Sequence, residues 1–249
     1  MTPAGGPFKP DFGLSGDSSR VRIQFRFETA CPPKGRFRLE ARTSASYAGI
    51  MPWGLKRYQN TGQSHFVTFC CYHRRPLFTT DTSRLVFENA LERVRRNFRL
   101  RVYAYVVMPE HVHLLVSEPE RTAPLKPTSG LSGPPKPSTL ADAIKSLKQG
   151  VSRRLIGDAD HFWQKRYYDF NVRDHEQFVE KLHYIHCNPV KKELCERPED
   201  WEWSSFLHHA TGREGRIEIE SEWTARKRER AAGKVCISVE LPHSSQHRA

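Results

Sequence analysis

Residues 106–116 read VVMPEHVHLLV, and the fold turns on how that run is divided. Pro109 cannot donate to a β ladder and, with Glu110, makes a tight corner between two β-forming stretches. The pattern predicts a strand over 101–108 (RVYAYVVM) and another over 111–117 (HVHLLVS). A corner this short makes the two an antiparallel hairpin. Alternate side chains of a strand share a face. His111 and His113 therefore project to one side, and Val112, Leu114 and Val116 to the other, toward the helices.

Upstream, 65–72 (HFVTFCCY) is dense in β-formers and predicts a further strand. Asp81 or Thr82 can cap a helix running to about Asn97. Phe87, Leu91, Val94 and Phe98 form its apolar stripe. Downstream, 119–137 is a Pro-rich loop. A helix then follows, with Thr139 and Asp142 at capping-box spacing and Leu140, Ile144, Leu147, Val151 and Leu155 as its stripe. Lys145, Lys148, Arg153 and Arg154 lie off that stripe. Residues 162–172 predict a fourth strand. Arg173-Asp174 opens a last helix, expected to end before Pro189 because proline disfavours helix at the residue before it. Residues 190–210 read as irregular, with Trp201, Trp203 and Phe206 closing the core. The order β, α, β, β, α, β, α predicts an α+β, ferredoxin-like fold, an antiparallel sheet of about four strands with helices packed on one face.

Residues 1–50 read as a flexible basic extension, although the alternation over Val21–Phe27 could add a strand. Residues 51–212 form the expected main domain, and 213–249 a charged tail. The whole chain has 249 residues, 40 Lys+Arg against 28 Asp+Glu, and a net charge of +12. Such an excess favours a polyanionic partner, nucleic acid first. A bilayer span needs roughly 18 to 20 consecutive apolar residues, and the chain has no such run. The six cysteines contain no CxxC spacing and read as free thiols.

Three groups of residues carry chemistry. His111 and His113, side by side on one strand, make half of a divalent-metal site. Taken alone, such a pair is more often structural. On the last helix, Phe178, Leu182 and Ile185 make the core stripe, while Gln177, Lys181, Tyr184 and Asn188 run along its flank. Tyr184 and Asn188 are four apart and so neighbours, a phenol beside an amide oxygen. A core-edge tyrosine and a helix cap would look the same. Between these lies FWQKRYYDFNVRD (162–174), where Trp163, Lys165, Arg166 and Tyr168 suit base stacking and phosphate contact. Tyr167 and Tyr168 are rival nucleophiles to Tyr184. His186 reads as a surface residue or one supporting the site from behind. His208 and His209 read as solvated.

Taken together, VVMPEHVHLLV (106–116), FWQKRYYDFNVRD (162–174), YIHCNPVKKEL (184–194) and WEWSSF (201–206) resemble the single-tyrosine HUH transposases, and among them the REP-associated tyrosine transposase group. The resemblance covers roughly residues 52–210. It implies a metal-dependent endonuclease that cleaves and rejoins single-stranded DNA at hairpin-adjacent sites through a 5′-phosphotyrosine, with Mg²⁺ or Mn²⁺. It implies His111 and His113 as metal ligands and Tyr184 as nucleophile. Asn188 matches the position of a metal-completing Gln but is one methylene shorter. Glu110 stands where relatives carry Asn, and strand alternation turns it away from the histidine pair. The resemblance further implies DNA contacts from Lys145, Lys148, Arg153, Arg154, Trp163, Lys165, Arg166, Tyr168 and Lys191. It fits a cytoplasmic, nucleoid-associated protein, monomeric or homodimeric. A non-cleaving hairpin binder and a rolling-circle-type replication initiator are the competing readings.

Overall fold

The computed structural model describes residues 62–120 and 138–232. Residues 1–50, most of the Pro-rich loop and the end of the tail lie outside it. Four strands, β1 (Ser64–Cys70), β2 (Val102–Val107), β3 (His111–Ser117) and β4 (Tyr168–Val172), form one antiparallel sheet in the order β2-β3-β1-β4. Five α-helices accompany it: α1 (Asp81–Phe98), α2 (Leu140–Leu155), α3 (His175–Lys191), α4 (Phe206–Thr211) and α5 (Glu222–Ala231).

The helices cover both faces of the sheet, not one. Alternation along each strand makes this unavoidable, because both faces are apolar. Val67, Phe69, Val112, Leu114 and Val116 pack against Phe87, Leu91 and Val94 of α1 and Ile144, Leu147 and Val151 of α2. Phe66, Val106 and Leu115 point the other way and pack against Phe178, Leu182 and Ile185 of α3. Cross-strand register pairs Thr68 with His113 and Cys70 with His111, so those four residues share the α3 face.

Local signals explain the helix starts. Thr139 and Asp142 form the expected capping box. Thr80, one residue earlier than expected, caps α1 by accepting from the Ser83 amide at 3.2 Å. Asp174 caps α3 by accepting from Gln177 N at 2.7 Å.

Some expectations fail. The fourth strand begins only at Tyr168, because Phe162 and Trp163 leave the ladder to fill the α1/α2 core. Only a single bridge, Cys71 to Trp163, extends the pairing there. Helix α3 runs through Pro189 to Lys191. Proline forfeits one N–H, and a helix within two residues of its end tolerates that loss. The irregular region over 190–210 contains α4. Past 212, Ile217 and Ile219 are buried in the α1/α2 core, and Ile219 bridges Val102 at the β2 edge. Cys70, Cys71 and Cys195 are free thiols, whereas Cys187 is disulfide-bonded. No described helix is long and apolar enough to cross a membrane.

Candidate active site

Strand β3 and helix α3 meet on one face of the sheet, and there the two chemical signals converge. His111 and His113 are only 5% and 4% exposed. Their Nε2 atoms face each other at 3.0 Å. His113 lies flat on Phe66, with ring centroids 5.5 Å apart and planes at 19°. Its Nδ1 is hydrogen-bonded to Thr68 Oγ1 at 2.7 Å, the cross-strand partner. Burial, and secondarily the neighbouring His111, holds the His113 imidazole well below its ordinary pKa, so it is neutral. Glu110 does not ligate from the Nε2 side. Its Oε1 sits 3.1 Å from His111 Nδ1, an ion-pair distance that is off the line of an aligned hydrogen bond. That histidine is the main cause of a lowered Glu110 pKa, against the opposing effect of burial.

From α3, the Tyr184 ring packs edge-on against His113 at 5.3 Å and against Phe66 at 5.7 Å. Lys191 Nζ lies 5.3 Å from the Tyr184 ring centroid. Partial burial lowers the lysine's pKa. One turn beyond Tyr184, Asn188 is 3% exposed and its Oδ1 is buried without a hydrogen-bond partner. Lys181 stands over Phe170 at 5.0 Å and pairs with Glu180 at 2.9 Å.

These donors bear on a metal directly. Two nitrogens each about 2.1 Å from one ion, at a right angle, lie about 3.0 Å apart, the separation seen between the two Nε2 atoms. A buried amide oxygen lacking a partner is the second sign. Among the described residues, no group of three or more His, Cys, Asp and Glu could hold a metal. His111 and His113, with Asn188 as a third donor, would thus leave several positions open to phosphate oxygens and water.

The expected DNA-contacting residues divide. Tyr168 meets Phe66 edge-on at 6.3 Å and lies on the histidine face. The exposed Lys145, Arg153 and Arg154 of α2 lie beyond the opposite face, as does half-buried Lys148. A cleft of about 380 Å³ is lined there by Lys148, Ser152, Arg153, His161 and Lys165. Lys148 Nζ donates to Gln164 O at 2.6 Å. Gln164 N in turn donates to Cys70 O at 2.9 Å. The cleft therefore lies near the sheet end that carries His111, since Cys70 pairs with His111. Lys165 and Arg166 are exposed.

Trp163 is not a stacking platform. It is 8% exposed, packs on Phe69 at 5.0 Å, and donates its indole N–H to Lys148 O. Tyr167 is buried on the α1/α2 side, away from the histidine pair. The other histidines are structural. His186 bonds Ser205 Oγ at 2.8 Å, His208 bonds Ser221 Oγ at 2.7 Å, and His209 bonds the Tyr103 carbonyl at 2.8 Å. Sequence reasoning missed Thr68 and Phe66, because only the β1–β3 register brings them to His113.

Residues 59–188 match the family described as transposase IS200 like, just over half of the chain. The chain belongs to the IS200-like transposase family. It is 26% identical over 157 residues to a putative REP-associated tyrosine transposase of Haemophilus influenzae, covering 58% of this chain and 80% of that one. It is 26% identical over 151 residues to the REP-associated tyrosine transposase of Escherichia coli K12, covering 61% and 81%. Among solved structures, a REP-associated tyrosine transposase bound to a REP hairpin overlays with a TM-score of 0.49 at 20% identity, covering 76% of this chain and 98% of that one.

Proposed function

We propose that this transposase-family chain cleaves and rejoins single-stranded DNA next to hairpins, with Tyr184 as nucleophile and His111, His113 and Asn188 as the seat of Mg²⁺ or Mn²⁺. The observation that carries the reading is the 5.3 Å contact between the Tyr184 ring and His113, whose Nε2 meets that of His111. It puts a phenol beside a pair of converging imidazoles.

The Tyr184 oxygen attacks the scissile phosphorus, and the bond to the 3′ oxygen breaks. The products are a 5′-phosphotyrosine and a free 3′-OH. Rejoining is the reverse, with an incoming 3′-OH as nucleophile and Tyr184 as leaving group. The phosphodiester bond is conserved throughout, so no nucleotide is consumed. A divalent ion, when bound, polarises the phosphate and stabilises its developing charge. The phenol has an ordinary pKa of about 10 and needs help to ionise. Lys191, above its ring, stabilises the phenolate. Phe66 and His113 fix the ring from the other sides.

For DNA, Tyr168 offers a stacking face near the site. Lys145, Lys148, Arg153, Arg154, Lys165 and Arg166 supply phosphate contacts around the sheet end. The hairpin-bound relative and the REP-associated names of the curated relatives support hairpin DNA as the partner class. Action in the cytoplasm on chromosomal DNA, as monomer or homodimer, completes the proposal. The burial of Tyr167 counts against a paired-tyrosine replication initiator.

The test is a labelled hairpin oligonucleotide from the flanks of the coding region, incubated with protein and Mg²⁺ or Mn²⁺ and run on a denaturing gel. A covalent band that requires metal and vanishes in Tyr184→Phe is expected. A band that survives Tyr184→Phe moves the nucleophile elsewhere. Tight hairpin binding with no adduct makes the protein a non-cleaving binder.

A further inference from the structure

We infer that Glu110 and Thr68 hold the two histidines in different tautomers, and that Thr68 is the positioning residue whose hydroxyl reverses so that His113 can accept a cation. The inference deepens the reading of this pair as a cation site and rests on it for its second half.

The two Nε2 atoms are 3.0 Å apart. Between neutral imidazoles that contact needs one N–H and one lone pair. The flanking groups decide which is which. Glu110 Oε1, 3.1 Å from His111 Nδ1, is a carboxylate oxygen and can only accept. It favours the proton on His111 Nδ1 and leaves His111 Nε2 as a lone pair. His113 must then donate from Nε2, and its Nδ1 is a lone pair. Thr68 Oγ1, 2.7 Å from that Nδ1, supplies the hydroxyl proton.

A cation between the rings requires lone pairs on both Nε2 atoms. His111 already presents one. His113 must lose its proton from Nε2 and gain one at Nδ1, by exchange with water, so no net charge changes. A carboxylate beside His113 would hold Nδ1 protonated permanently. A hydroxyl serves both states, because it donates to a bare nitrogen and, after rotating, accepts from an N–H. The partner that fixes the second nitrogen of a metal-binding histidine commonly alters affinity 10- to 100-fold.

The test uses the full chain with ¹⁵N-labelled histidine, freed of metal by chelation. Long-range proton–nitrogen spectra are assigned with His111→Gln and His113→Gln. The expected result is His111 protonated at Nδ1 and His113 at Nε2, with His113 passing to Nδ1 on addition of Mg²⁺. By calorimetry, Thr68→Val should weaken Mg²⁺ or Mn²⁺ binding about 10- to 100-fold, and Thr68→Ser should restore it. His113 protonated at Nδ1 in the metal-free protein overturns the inference. So does a Thr68→Val variant that binds the cation as tightly as the parent. A parent that binds neither cation while His113 is Nε2-protonated overturns the switch and the cation reading together, and supports the metal-free assignment.

Discussion

The two faces of the sheet are built from the same strands and differ in kind. Strand β3 sends Val112, Leu114 and Val116 into an unbroken apolar layer against α1 and α2. Its intervening residues His111 and His113 enter a smaller cluster under α3. There, Asn188 Oδ1 and His111 Nδ1 are buried without aligned hydrogen bonds. Buried polar atoms left this way cost about 1–3 kcal/mol each. The first face stabilises the fold, and the second carries strain that a ligand can relieve. Separating stability from chemistry on opposite sides of one strand lets each vary alone.

The largest expected effect breaks the second face only. His113→Ala should reduce the covalent DNA adduct by about 100-fold or more, as loss of an essential catalytic group does. Its urea midpoint should stay near the parent's. A parallel loss of stability would mean that the two faces are one cooperative core. Leu114→Ala, the next residue along, should do the reverse. A buried leucine lost to a cavity costs about 2–5 kcal/mol, read from urea unfolding, and adduct formation per folded molecule should persist.

Acid should sharpen the contrast next. Burial pushes the His209 pKa down to about 4 and holds His186 and His113 well below the ordinary value. In the unfolded chain these groups titrate near 6.5. Between those values the unfolded state binds more protons, so stability is full above about pH 6.5 and falls as the pH drops toward 4. For His209 alone the loss is about 3 kcal/mol at most. His209→Gln should flatten the profile of melting temperature against pH, and an unchanged slope would clear this histidine of the effect.

Asn188→Ala should weaken Mn²⁺ binding about tenfold by titration while changing stability by less than about 1 kcal/mol, since its oxygen has no protein partner to lose. A large loss of stability with unchanged binding would make Asn188 structural. Smallest is Thr139→Ala. Breaking the α2 capping box should cost about 1 kcal/mol and leave the adduct per folded molecule untouched.

Much of this was legible along the chain. The bounds of β3, the shared face of His111 and His113, and the Thr139–Asp142 box are local, dictated by period and capping chemistry within a few residues. The pairing of Tyr184 with Asn188 on one helix flank is local too. Trp163 and Tyr167 were misplaced because an aromatic, basic stretch looks alike whether its rings face solvent or a core. Their burial depends on Phe69 and Phe78, far away in sequence. His208 and His209 were misread for the same reason: Ser221 and the Tyr103 carbonyl, their partners, are set by packing.

By itself, then, the sequence determined which residues share a strand face or a helix flank, because those periods are properties of the backbone. Only the tertiary structure decided which face met which. Residues β1 and β3 bring together are more than forty positions apart, and their register follows from burying both apolar faces at once. That register places Thr68 on His113, and the packing of α3 places Tyr184 beside it.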